Sequence, residues 1–129
     1  MEKILYCDSR GDKRFSALYA KIKLKNGTLE TIEHLYQKVK RDEHNNPVGK
    51  GRFVHHFVLN GKTYPASYLS KYYRNLWKCY FKQNPDLLEY AMQFDKFIDR
   101  FKGKSINNQG DTIADIVKEK REEVSRRIK

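Results

Sequence analysis

The chain has 129 residues, enough for one domain with a buried core, and a formal net charge of +11 from 27 Lys and Arg against 16 Asp and Glu. A basic excess of this size favours a polyanionic partner, usually nucleic acid. No apolar run approaches the ~18 residues of a membrane span, and the first residues lack the apolar core of a signal peptide. We therefore expect a cytoplasmic protein with no membrane partner.

The two cysteines, Cys7 and Cys79, are far apart in the sequence, and we interpret them as free thiols. They cannot complete a zinc site of common spacing, even with the four histidines. The sequence therefore predicts no metal and no cofactor. It predicts a single domain over residues 1–129, in which the charged end of the last helix covers about residues 118–129.

A polar loop at residues 9–14 has the composition of either a phosphate clamp or a solvated turn. In the first interpretation Arg10, Lys13 and Arg14 would contact the phosphate, and Gly11 would let the backbone approach it. In the second, the same residues simply face water. Composition alone leaves both open.

Alternating residues predict a half-buried strand over residues 19–25, with Lys21, Lys23 and Lys25 on its exposed face. The pair Asn26-Gly27 predicts a hairpin turn, and residues 28–30 predict a short return strand. Thr31 is then a suitable N-cap for a helix that we expect to run from about Ile32 to Asp42.

That helix has an apolar face with a polar stripe beside it. The apolar face is formed by residues at i, i+3, i+4 and i+7, namely Ile32, Leu35, Tyr36 and Val39. Glu33, Gln37 and Lys40 follow at i, i+4 and i+7, and would place a carboxylate, a carboxamide and an amine in one row. Spacing alone favours a solvated helix surface for such a row, and the alternative is an active site.

The second half of the chain is mostly helical. Residues 43–52 predict a loop whose Lys50 and Arg52 could flex over a site, and residues 53–64 predict a second hairpin around Asn60-Gly61. Aromatic residues at helical spacing follow from Leu69 to Phe81, and they indicate core packing or, alternatively, base stacking. Further helices are expected after Pro85 and from about Asp111. The fold class predicted is α+β, mainly helical, with short β-hairpins.

Several segments, in the right order, resemble the NADAR (YbiA-like) superfamily. The stretch 31–40 is similar to that family's signature of a Glu-His pair, an aromatic residue, a Gln and a final Lys, here Glu33, His34, Tyr36, Gln37 and Lys40. Phe15-Ser16 lies where the family has a Phe-Ser motif, and residues 80–87 resemble its Lys-Phe-x-Gln-Asn-Pro-x-Leu segment. Ile98-Asp99 is similar to its Val-Glu, and residues 107–113 resemble the opening of its last helix. The family's Asp-x-x-Trp-Gly motif is absent, and only Phe101-Lys102-Gly103 lies near its position.

The resemblance implies a NADAR-like fold and cleavage of an N-glycosidic bond to ribose, with Lys40 forming a Schiff base to the opened sugar. We expect burial against the apolar face to keep the Lys40 amine neutral, and Glu33 to carry protons. Gln37 would hold a ribose hydroxyl, and Tyr36, Phe15 and Ser16 would contribute to substrate binding. Asp99 would accept hydrogen bonds from the sugar or base, and Arg10, Arg14 and Asn107 would bind the diphosphate. For Asp99 and those three, a surface salt bridge or helix cap is the alternative.

The leading functional hypothesis is a glycosidase that removes ADP-ribose from guanine in DNA, with the basic surface holding the DNA backbone. A small basic protein of this kind would suit a bacteriophage that erases host toxin marks from its genome, acting in the host cytoplasm as an anti-defence protein. The alternatives are a non-catalytic binder of an ADP-ribose-like nucleotide, and a plain nucleic-acid-binding protein in which Lys40 has no role.

Overall fold

The computed structural model of this chain describes residues 1–100 and 108–128. Within these residues the chain forms four helices: α1 (Ile32–Gln37), α2 (Leu69–Gln83), α3 (Pro85–Ala91) and α4 (Gln109–Ile128). It also forms seven short strands: β1 (Ile4–Tyr6), β2 (Lys21–Lys23), β3 (Leu29–Thr31), β4 (Lys40–Arg41), β5 (His56–Leu59), β6 (Lys62–Pro65) and β7 (Lys96–Ile98). The predicted α+β class, with more residues in helices than in strands, is confirmed.

The strands make three small sheets, of which two contain the predicted hairpins. β2 pairs antiparallel with β3, and β5 pairs antiparallel with β6. Gly27 and Gly61 take positive φ angles of 87° and 78° at the two turns, a conformation that glycine adopts at little cost. β1 pairs in parallel with β7, with Tyr6 opposite Ile98. The parallel pair joins residues so distant in sequence that no local turn signal could predict it.

The predicted helix from Ile32 to Asp42 is too long, because the chain leaves the helix after Gln37. Thr31 caps its start as predicted, since its side-chain oxygen accepts from the His34 N–H at 3.1 Å. Beyond Gln37, the Val39 carbonyl accepts from the Val58 N–H at 2.9 Å, and Lys40 pairs with Phe57 between β4 and β5. Pairing with β5 replaces the last helical turn, so Lys40 lies on a strand and not on a helical stripe.

The aromatic face of α2 packs in the core, so the first of the two interpretations, core packing and not base stacking, is confirmed. Tyr73, Trp77, Tyr80 and Phe81 are all buried, and Trp77 is fully so. Trp77 packs edge-on against Tyr80 with ring centroids 5.5 Å apart, and α2 contacts α1, α3, α4 and β2. Full burial of one such ring contributes about 1.5–3 kcal/mol of transfer free energy. Because α2 buries four of them and contacts four other elements, it is the centre of the fold.

The last helix, α4, begins beside β7 and continues to Ile128. The Asn108 side-chain oxygen accepts from the Asp111 N–H at 3.1 Å and so caps the first turn. The charged end of this helix is helical as far as Ile128, and Arg121 donates to the carbonyl oxygens of Met92 and Phe94 at 2.6 and 2.7 Å. Within the described residues, no helix combines the length and apolar character needed to cross a membrane.

Candidate active site

A cavity of about 1130 Å³ lies where the ends of several elements converge. Its lining residues come from α1 and β4, from the chain after β1 and β7, from the loop before β5, and from the start of α2 and α4. Four of the predicted site residues, Glu33, Tyr36, Gln37 and Lys40, line it together. Glu33, Gln37 and Lys40, predicted to form a stripe on one helix, therefore do lie together, although Lys40 comes from the strand β4.

Glu33 and Gln37 are one turn apart on α1, and their side chains are joined. The Gln37 Nε2 donates to the Glu33 Oε1 at 3.0 Å. Because a carboxylate only accepts, this contact fixes which end of the carboxamide faces Glu33. The Gln37 Oε1 is then left buried with no hydrogen-bond partner among the described residues. A buried acceptor of this kind is ready to receive a donor from a ligand, such as a sugar hydroxyl.

Lys40 presents a buried amine to this cavity. The residue is only 9% exposed, and its Nζ lies 4.2 Å from the centroid of the Tyr36 ring. Burial lowers the pKa of the Lys40 amine; the Glu33 carboxylate opposes this, and the Lys50 ammonium adds to it. The net direction favours the neutral, nucleophilic form.

Two further groups complete the surroundings of Glu33. The Lys50 Nζ, from the loop before β5, lies 3.5 Å from the Glu33 Oε1. Tyr73 of α2 packs edge-on against Tyr36, with ring centroids 4.9 Å apart. Burial raises the pKa of the Tyr73 phenol, and the carboxylates of Glu33 and Asp99 raise it further, so its hydroxyl stays protonated and can donate.

The chain beyond β1 and β7 forms a charged end of the cavity. Asp8 is buried, and Arg100 donates to it through Nε and Nη2, both at 2.9 Å. These charge-assisted contacts hold the pKa of the Asp8 carboxyl well below its usual range. Arg10, which is exposed, and Asp99 line the cavity beside this pair. Both predicted residues are thus placed at the cavity.

Three of the remaining predicted site residues, Arg14, Phe15 and Ser16, do not line the cavity. Arg14 donates twice to Asp12 and lies 4.7 Å from the Tyr90 ring centroid. Phe15 is fully buried and stacks on Tyr90, with ring centroids 6.0 Å apart. Ser16 is also fully buried. Asn107 and the segment Phe101-Lys102-Gly103 lie outside the described residues. Gln109, from the same motif as Asn107, lines the cavity and accepts from the Ala17 N–H at 2.6 Å.

Sequence reasoning missed several lining residues. Asp8 and Arg100 carry no local signal of pairing, because their contact depends on the parallel β1–β7 pair. Tyr73 is indistinguishable by spacing from the other buried aromatic residues of α2. Phe53 was included in a predicted strand, although the strand begins only at His56. Lys50 and Arg52 were not missed, because the sequence predicts that their loop can lie over a site, and both line the cavity.

Among the described residues, no three His, Cys, Asp or Glu side chains lie close enough to hold a metal ion. Comparison with known proteins gives no match, since neither a protein-family model nor any curated protein sequence matches the chain. The resemblance to the NADAR superfamily therefore depends on the motif residues and their order. The geometry around Lys40 is independent of that resemblance.

Proposed function

We propose that this protein is an N-glycosidase that removes ADP-ribose from guanine in DNA, with Lys40 as the nucleophile. The observation that carries the proposal is the Lys40 amine, which is buried in a large cavity and lies against Tyr36, with Glu33 lining the same cavity. A buried lysine is costly to keep and is typical of covalent catalysis through an imine. The DNA substrate is what the family resemblance suggests, and the net charge of +11 is compatible with it.

In the first step, the neutral Lys40 Nζ attacks the ribose C1, and the bond between C1 and the base nitrogen breaks. Glu33 takes a proton from the new ammonium nitrogen and passes it to the departing base. Gln37, through its unpartnered Oε1, accepts from a ribose hydroxyl and fixes the sugar in position. The product of this step is a glycosylamine on Lys40 and a free, protonated base.

In the second step, the nitrogen lone pair forms a C=N bond as the bond between C1 and the ring oxygen breaks. Glu33 transfers the remaining nitrogen proton to that oxygen, which leaves an imine between Lys40 and the opened ribose. Water then adds to the imine and its two protons return to the Lys40 nitrogen, so ADP-ribose leaves as the aldehyde. Arg10 and Lys50 line the cavity and would bind its diphosphate.

A second candidate is a binder that holds an ADP-ribose-like nucleotide without turnover, since the same cavity would accommodate one. The Lys40 environment favours catalysis, because a binding protein gains nothing from a nucleophile whose charged form is disfavoured by burial. A third candidate, a plain nucleic-acid-binding protein, is favoured by the exposed lysines of β2, which border a shallow groove of about 560 Å³. That function requires no role for Lys40.

The test is incubation of the protein with an oligonucleotide that carries one ADP-ribosylated guanine, with released ADP-ribose measured by mass spectrometry. We expect release by the wild type and none by Lys40→Ala. An exposed lysine elsewhere, in Lys62→Ala, is the matched control and should leave release unchanged. Tight binding of the oligonucleotide without any release would favour the binding protein instead.

A further inference from the structure

The rim of the cavity carries an aromatic side chain that is almost fully exposed. Phe53 lines the cavity and yet is 84% exposed, the highest value for any ring among the exposed hydrophobic residues described. A single exposed apolar residue is ordinary on a protein surface. Phe53 differs because it stands at a cavity mouth, directly after the exposed cation Arg52, in a chain of strongly positive charge.

The sheet register explains where Phe53 lies. His56 of β5 pairs with Pro65 of β6, so the chain before His56 and the chain after Pro65 leave the hairpin at the same end. Phe53 and Val54 therefore line the cavity together with Ala66 and Ser67. This side of the cavity thus carries an exposed ring and three uncharged side chains, unlike the charged end formed by Asp8, Arg10 and Arg100.

The same loop is tied to the proton carrier. Lys50, three residues before Phe53, brings its Nζ within 3.5 Å of the Glu33 Oε1. In the proposed reaction Glu33 protonates the departing base, so the base leaves on the side of this loop. An aromatic ring is the usual platform for an unstacked base, and a neighbouring arginine is the usual contact for the adjoining phosphate.

We propose that residues 49–53 form a nucleic-acid contact of this protein at the cavity, with Phe53 stacking on the modified base and Arg52 contacting the adjacent phosphate. The identity of the modified base rests on the proposed function, whereas the stacking itself does not. The base must be out of the duplex stack to reach Phe53, so single-stranded or flipped-out guanine is the substrate form.

The experiment measures binding in the Lys40→Ala background, so that the ligand is not consumed. The probes are a labelled single strand with one ADP-ribosylated guanine, and free ADP-ribose. Phe53→Ala should weaken binding of the strand about tenfold, and Phe53→Trp should retain it, because base stacking needs a ring. Binding of free ADP-ribose should be unchanged by either variant. Tyr68→Ala is the matched control, since Tyr68 is 53% exposed but is outside the cavity lining.

Equal weakening of both probes by Phe53→Ala, or an equal loss in Tyr68→Ala, would overturn the assignment. A second probe separates this inference from the proposed function: an unmodified single strand containing the fluorescent base 2-aminopurine, whose emission is quenched by stacking. Quenching by the wild type that is lost in Phe53→Ala supports the contact, even if no ADP-ribose is ever released. Absence of quenching by the wild type, or quenching that persists in Phe53→Ala, refutes the contact whatever the catalytic result.

Discussion

Lys40 shows how a single residue can be poor for stability and suited to chemistry. A lysine with 9% exposure has lost most of its hydration, and the ring of Tyr36 replaces only part of it. The folded state thus disfavours the charged amine, and burial lowers its pKa. The same desolvation that costs stability favours the neutral form of the amine, which the proposed attack on a sugar carbon requires.

Replacing this amine by an apolar chain of similar length should stabilise the protein. We expect Lys40→Met to raise the free energy of unfolding at pH 7 by about 0.5–2 kcal/mol, seen as a Tm higher by a few degrees. Because the Lys40 pKa is lower in the folded than in the unfolded chain, the unfolded chain binds more protons between the two values. Wild-type stability therefore rises with pH across that window, and the Tm difference shrinks as the pH approaches the ordinary lysine value of 10.5.

Thermal unfolding followed by circular dichroism from pH 6 to pH 10 measures this directly. Lys62→Met, at an exposed position, is the control and should give no pH-dependent gain. A lower Tm for Lys40→Met at pH 7 would mean that the contact with Tyr36 outweighs the loss of hydration.

Glu33 can be tested without disturbing its size. In Glu33→Gln the side chain keeps its shape and can still accept from Gln37, but it can no longer carry a proton. We expect binding of ADP-ribose within a few-fold of wild type and turnover lower by ~100-fold or more. Stopped-assay turnover and calorimetric binding on the same preparation distinguish the two effects. Undiminished turnover would leave Glu33 with a purely structural role.

At the scale of elements, the site depends on where short strands end. The chain after β1 brings Asp8 to Arg100, which follows β7, and a tight turn then returns toward Tyr6. That turn needs a glycine, because a Cβ on Gly11 would lie 2.4 Å from the Tyr6 carbonyl oxygen and 2.6 Å from the Tyr6 Cβ. Both distances are far below van der Waals contact, so the backbone would have to move.

We therefore expect Gly11→Ala to destabilise the protein by about 1–3 kcal/mol, the usual cost of overpacking. Because Arg10 is adjacent, affinity for ADP-ribose should fall as well. Gly49→Ala is the matched control, since a Cβ there meets nothing within 4 Å. Chemical denaturation gives the free energy of unfolding of both variants. Equal values would show that the turn at Gly11 accommodates a Cβ without loss of stability.

The end of α1 marks the limit of what the sequence predicts about this fold. Ile32, Leu35, Tyr36 and Val39 are all buried, just as a longer helix would have them. Val39 reaches the core from the turn between α1 and β4, so the helical spacing of the apolar residues continues past the end of the helix. A two-residue strand is too short to show alternation, and its partner β5 lies more than a dozen residues away. Hairpins with local turn signals were predictable, whereas β4 and the β1–β7 pair depend on distant partners.

The residues of the candidate site also fall into two groups, those that local sequence patterns predict and those that only the fold brings together. Glu33, Gln37 and Lys40 were found because they lie within eight residues and carry the right chemistry. Asp8 and Arg100 were missed because they are 92 positions apart and meet only through folding. Arg14 was assigned to a phosphate on charge alone, and the structure pairs it with Asp12. Local patterns thus found the cluster of candidate reacting groups, whereas tertiary contacts decide which cations lie near it.

At the scale of the whole molecule, charge governs how a nucleic-acid substrate would be held. The net charge of +11 includes Lys21, Lys23 and Lys25, which are exposed along and just beyond β2. Each phosphate contact made by such a group releases about one counterion, so affinity should fall steeply with salt.

We expect a plot of log affinity against log salt concentration to be linear, with a slope of about −0.7 per phosphate contacted on a single strand. Changing the three lysines of β2 and its turn to Gln should reduce the magnitude of that slope by about 2. Removal of three charges from α4, in a variant of Lys118, Lys120 and Arg126, is the control for net charge alone. Fluorescence anisotropy with a labelled single strand measures both slopes. Equal slopes in the two triple variants would show that β2 has no particular contact with DNA.

The most direct measurement of the proposed chemistry is borohydride reduction during turnover, followed by peptide mapping. An imine between Lys40 and the opened ribose is reduced to a stable secondary amine, so the sugar stays on the protein as added mass. We predict that this mass maps to Lys40 and not to the exposed Lys38 nearby. Lys40→Arg should form no adduct and no product, because a guanidinium stays protonated and cannot attack. Full release of ADP-ribose by wild-type protein with no trapped adduct, or full activity in Lys40→Ala, would contradict the lysine mechanism.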